Sequence, residues 1–207
     1  MQDQYRDKVL SWHYDPRLPL ASVWNLFMDF VRDLDGKVGW IINNDIEVHP
    51  EMLRKLLLAV KERKAWFVSG IGVDTKPDVL PVENNGDFGG PDFSCYVFTV
   101  EGWEKYPFDE GFVPAYCEDV DMHRRMMLGG DGQKIFGVNL PFLHHASATI
   151  NQEKDGPQKF APLYAQSEKY FVEKWGGPPN KETVGGLTTP KLQQREWEIF
   201  NKSRGEG

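Results

Sequence analysis

The stretch that most constrains the fold of this chain is Lys37–Ile42 (KVGWII), an apolar run that closes directly on Asn43-Asn44-Asp45. Pro50 then leads PEMLRKLLLAVKERK. A short apolar run bounded by turn residues reads as a buried strand. Proline suits a first helical position, and Glu51 at one end with Lys61, Arg63 and Lys64 at the other complement the helix dipole. A buried strand that ends in polar residues and feeds a helix is the start of an α/β unit.

The alternation continues along the chain. Leu20, Val23, Trp24, Phe27, Phe30, Val31 and Leu34 recur at helical spacing over 18–35, and Gly36 is placed to end that helix. Strands are predicted at Ala65–Ile71, Phe93–Val100 (FSCYVFTV) and Gln133–Val138. Helices are predicted at Glu118–Leu128 and Ala161–Trp175, with a loop over 74–92. Such alternation implies a mainly parallel central sheet flanked by helices, plus a C-terminal helix. Ligands of such sheets bind beyond the carboxyl ends of the strands. The 207 residues fit one domain, expected over 1–176, with a polar tail over 177–207.

Composition excludes several function classes. A net charge of -7 argues against a protein that binds nucleic acid by neutralising phosphates, but leaves open a nucleotide contact made through a metal ion. Cys95 and Cys117 are too few for a disulfide framework. The polar opening MQDQYRDKVL lacks the apolar core of a signal peptide, and no apolar run approaches the roughly 20 residues of a membrane span. A cytoplasmic location is expected. The oligomeric state stays open, a homo-oligomer included.

Three polar groups carry candidate chemistry. Asn43, Asn44 and Asp45 stand at the predicted binding edge, where Asp45 suits a hard divalent cation; the triplet equally suits an Asx turn. Glu118, Asp119 and Asp121 crowd the first turn of a helix. Acids there complement the dipole, and Asp121 is spaced to pair with Arg125, yet like charges held close raise one pKa, as a general base requires. His144 and His145 follow a predicted strand, and imidazole beside carboxylate favours manganese over magnesium.

In order, NNDIEVHPEML, FSCYVFTV, FDEGF, YCEDVDMHRRM, HHASAT and YFVEKWG resemble the family 2 glycosyltransferases of the GT-A fold, in the branch related to bacterial rhamnosyltransferases. The resemblance implies a single Rossmann-like GT-A domain. It also implies transfer of a sugar from a nucleotide-sugar donor, a UDP-sugar foremost, to a glycan or other hydroxyl acceptor, with inversion. Asp45 would bind a divalent metal, Mn2+ before Mg2+, with His144 as its partner ligand and His145 as the competitor. Asn25, Asn43 and Asn44 would line the donor pocket. Asp119 would be the base, with Glu118 shaping the acceptor site.

Family members carry further βα units ahead of that asparagine to clasp the base. Here Trp12, His13, Tyr14 and Asp15 are the candidates for that task, with an edge strand as the alternative. The loop Asn84–Pro91 (NNGDFGGP) could close over the donor. Two other readings stand beside the transferase: a metal-dependent nucleotide-sugar hydrolase, and a non-catalytic sugar- or nucleotide-binding module.

Overall fold

The computed structural model describes residues 18–75, 77, 91–145, 156–179 and 181–183. Trp12, His13, Tyr14 and Asp15, the loop 84–90, Ser147, Thr149 and nearly all of the polar tail lie outside the described residues. The elements are α1 (Leu20–Asp33), β1 (Val38–Ile42), β2 (Ile46–Glu47), α2 (Met52–Arg63), β3 (Phe67–Val73), β4 (Cys95–Thr99), α3 (Val100–Lys105), α4 (Glu118–Leu128), β5 (Ile135–His144) and α5 (Gly156–Trp175).

The architecture is mixed α/β, with a five-stranded sheet in the order β1-β4-β3-β5-β2. The expectation of a mainly parallel sheet is corrected: among the described strands only β3 and β5 pair in parallel, and β1–β4, β3–β4 and β2–β5 are antiparallel. β1, β3 and β5 therefore share one direction, and β4 runs back between β1 and β3. The reason lies in the connections. Helix α2 carries the chain across from β1 to β3, as a parallel crossover needs. The segment between Val73 and Cys95 instead leaves and re-enters at the same end of the sheet. A run such as FSCYVFTV, buried on both faces, has no polarity that would reveal its direction.

Side-chain alternation builds two cores. Tyr96 and Phe98 of β4 join Phe67, Trp24 and Met28 of α1, Trp103 of α3, and Met122 and Met126 of α4. Cys95 and Val97 join Val68, Val138, Leu140 and Phe142 under Met52, Leu56 and Ala59 of α2. A smaller cluster, Phe112, Cys117, Phe171 and Trp175, fixes α5. Helix α1 does end beside Gly36, but Asp35 takes the left-handed conformation, at φ 56°. Gly36 is needed for space, because a Cβ there would stand 2.7 Å from the Val31 carbonyl oxygen.

Candidate active site

The strand directions bring the ends of β1, β3 and β5 and the start of β4 to one edge of the sheet. Asn43 continues the ladder there, its N–H donating to the Ser94 carbonyl at 2.9 Å. Asn44 and Asp45 form the turn into β2, with Asn44 exposed and Asp45 half-buried. The β2–β5 pairing sets Ile46 opposite His144. As a result Asp45 Oδ1 lies 3.6 Å from His144 Nε2. His145 is held apart: its N–H donates to the Asp45 carbonyl, and its ring meets Glu47 Oε1 at 3.1 Å in an exposed pair. Of the two histidines, His144 is the one that faces Asp45.

The Asp45–His144 pair suits a shared cation. Two ligands at a right angle, each about 2.1 Å from an ion, stand about 3 Å apart. The observed 3.6 Å is a small adjustment away. Among the described residues no larger group of His, Cys, Asp and Glu side chains is gathered around one point.

Sequence reasoning passed over Asp92, which lies between the two halves of the site. Its carboxylate accepts from Gly72 N–H at 3.0 Å and from Ser94 N–H at 2.8 Å. Gly72 is squeezed against it: a Cβ there would stand 2.9 Å from Asp92 Oδ2 and 3.3 Å from His144 Nδ1. On the other side the Asp92 charge acts on Asp119. An aspartate two residues ahead of a serine, at the mouth of an apolar strand, is the sequence signal for this Asx-type turn.

Helix α4 supplies the second half. Tyr116 and Cys117 enter it in the left-handed region, at φ 83° and 69°. Neither is a glycine, so this turn is a strained one, of the sort that gathers at functional sites. Glu118 follows, only 3% exposed. Burial and the neighbouring Asp119 charge push its carboxyl up to about 8, against backbone hydrogen bonds that lower it. Asp119 is half-buried, and burial, with the Asp92 and Asp121 charges, raises its pKa too. Its Oδ1 accepts the Val120 N–H at 2.7 Å.

Asp121, the third acid of the crowded turn, faces away. It is fully buried and takes Arg125 Nε at 2.8 Å, Trp175 Nε1 at 2.8 Å and Lys174 Nζ at 2.9 Å. Lys174 also meets Asp109, which accepts from the Tyr170 hydroxyl as well. This network, which the crowded-acid argument did not separate out, clamps α5 onto α4.

Asn25, expected in a donor pocket, is committed elsewhere. Its amide donates to the Phe108 carbonyl and to Glu110, and its oxygen accepts from Trp103 Nε1 and Phe108 N–H. An asparagine side chain has two donor and two acceptor positions, and all four are in use here. Contacting a ligand would mean giving one up, so its place is structural, tying α1 to α3 and the following loop. No protein-family model matches the chain, and neither does any curated protein.

Proposed function

We propose that this protein is a glycosyltransferase of GT-A type, which moves a sugar from a nucleotide-sugar donor, a UDP-sugar foremost, to a hydroxyl of a glycan or related acceptor, with inversion. The observation that carries the reading is a division of labour at one sheet edge. A carboxylate–imidazole pair fit for a cation stands at the ends of β1 and β5, and a carboxyl pair of raised basicity stands at the start of α4.

Asp45 and His144 are the residues that would hold a divalent metal, manganese before magnesium given the imidazole. Such an ion, when bound, supplies the positive charge that offsets the diphosphate leaving group. Asp119 takes the proton of the acceptor hydroxyl as that oxygen attacks the anomeric carbon. A raised pKa makes it a stronger base than an ordinary aspartate, and positioned proton transfer contributes typically 10²–10⁴-fold. Glu118, neutral near pH 7 because its carboxyl is pushed up to about 8, spares Asp119 a second negative charge at close range. Asn43 and Asn44 edge the donor side.

The test is a panel of nucleotide sugars with manganese, read by released nucleotide diphosphate in the presence and absence of acceptor sugars. Release that rises with one acceptor supports transfer. Release at full rate without any acceptor would mean a hydrolase, and binding without release would mean a non-catalytic module.

A further inference from the structure

The turn into α4 carries more than its acids. Tyr116, in that turn, meets Tyr164 of α5, with ring centroids 5.6 Å apart and planes at 67°, so that the two rings form a corner. Tyr116 is half-buried and packs on the Phe112, Cys117, Phe171 and Trp175 cluster, whereas Tyr164 is 42% exposed. A tyrosine exposed singly on a helix needs no explanation. This one faces a second ring whose backbone is held at φ 83°, a costly conformation for a residue with a side chain. Helix α5 itself holds it there: buried Ser167 donates to the Ala115 carbonyl at 2.7 Å, fixing the backbone just ahead of Tyr116. Glu168 follows Tyr164 by four residues and so stands on the same face of α5. Burial raises the Tyr164 phenol, and the Cys117, Glu168 and Asp119 charges add to it. Burial and the Glu118 charge do the same to Tyr116. The corner thus stands among carboxyls, of which Asp119 and Glu168 are half-buried and open in part to solvent.

We propose that Tyr164 and Tyr116 form the acceptor subsite: a sugar ring lies on the Tyr164 face with its edge against Tyr116, and Glu168 accepts from one of its hydroxyls. A pyranose ring carries C–H groups on its faces and hydroxyls round its edge. The faces suit an aromatic ring, and the hydroxyls donate to carboxylates in charge-assisted hydrogen bonds. Two tyrosines supply a large, rigid contact area at little entropic cost. The corner is formed before any ligand arrives, as small-molecule sites usually are.

The position of the base makes this sugar the acceptor and not the donor. Asp119 feels the charge of Asp92, which packs against Gly72 beside His144 in the cation half of the site. It acts on Tyr164 as well, which has no part in that half. A hydroxyl brought to Asp119 belongs to a molecule that needs its own footing, apart from the donor and its metal, and the tyrosine corner supplies it. Calling the sugar the acceptor rests on the transferase reading; the binding of a sugar ring at the corner does not. An organic cation is the other ligand that rings and acids suit, but two rings at a corner fall short of the cage that a quaternary ammonium takes.

The test is ligand-observed saturation-transfer NMR with the methyl glycosides of glucose, galactose, mannose and N-acetylglucosamine, and with tetramethylammonium, in the presence and absence of UDP and magnesium. At least one glycoside should receive saturation, most strongly at the C–H groups of one ring face. Tyr164→Ala should raise its dissociation constant about tenfold. Tyr164→Phe, which keeps the ring, should stay close to wild type, and Glu168→Gln should weaken binding severalfold while leaving the fold unchanged. In turnover assays Tyr164→Ala should raise the acceptor KM and leave donor affinity as it was. Saturation of no glycoside under either condition overturns the proposal, as does binding of tetramethylammonium alone. So does glycoside binding, or an acceptor KM, that is unchanged in Tyr164→Ala; Glu168→Gln decides the matter in the same way should that variant not fold. Glycoside binding that is lost in Tyr164→Ala, in a protein that turns over no nucleotide sugar, keeps the sugar subsite and removes only the transferase reading.

Discussion

Asp119 and Asp45 would each lose one charge on conversion to asparagine, with opposite kinetic results. Asp119→Asn keeps size and hydrogen bonding but no longer accepts a proton. Turnover should fall by about 10²-fold or more, while donor affinity measured by calorimetry stays near wild type. Asp45→Asn removes a charged ligand of a hard cation, so manganese-dependent nucleotide binding should weaken first. Turnover near wild type in Asp119→Asn would end its role as base. Asn25→Ala should behave as a structural change. It strands Trp103 Nε1 and the Phe108 N–H inside the core, a loss of about 2 kcal/mol or more in thermal or chemical unfolding, with donor affinity of the folded protein unaltered. At this scale the acids and histidines were legible in the sequence because polar residues at strand ends and helix starts stand out against apolar runs. Which face each one serves was not. Glu118, Asp119 and Asp121 look alike in the string CEDVD, and only the packing of α5 turns Asp121 into a buried counter-charge.

Helix α5 shows how an element far along the chain governs the site. Burial works against the charge of Lys174, but Asp121 and Asp109 beside it outweigh that and raise its pKa. Removing one member of a buried ion network typically costs about 3–5 kcal/mol, because the partners are left uncompensated. For a chain of this size each kcal/mol moves Tm by about 2–4 °C. Lys174→Met should therefore lower Tm by about 6–20 °C; a shift of only a degree or two would mean that α5 is not clamped through this lysine. Most elements were legible from periodicity alone, and α4 was predicted with the observed bounds, Glu118–Leu128. What periodicity lacks is direction and length. It could not tell that β4 runs against its neighbours. It stopped β5 at Val138, although the strand continues through Pro141 to His144 and so carries the histidine to the edge. β2 and α3, two and six residues long, are below the window in which a period can be recognised.

Across the whole molecule, proton linkage links the site to stability. Glu118 is pushed up from an ordinary 4.5 to about 8 in the folded state. The folded protein thus holds a proton that the unfolded chain has lost between those values, and this contribution is full below pH 4.5 and disappears as pH rises to about 8. Other groups pull differently. Burial lowers the pKa of His123, which removes stability as pH falls below 6.5. Burial alone would raise Asp109, but Lys174 outweighs it and holds the carboxyl low, so that its contribution is lost only on acidification below 3.8. The raw profile mixes these effects, and a difference between two proteins isolates one of them. Glu118→Gln carries no titrating proton at that position, and any packing change it causes is the same at every pH. Its stability relative to wild type should therefore rise steadily from pH 4.5 to 8 and be flat beyond both ends. A shift well over one unit exceeds about 1.4 kcal/mol. The Tm of Glu118→Gln minus that of wild type should then be higher at pH 8 than at pH 5 by about 4 °C or more. Thermal melts of both proteins at those two pH values measure it. An equal difference at the two pH values would place the Glu118 carboxyl back in the ordinary range, and Glu118 would then be charged near pH 7 and would not leave the charge to Asp119.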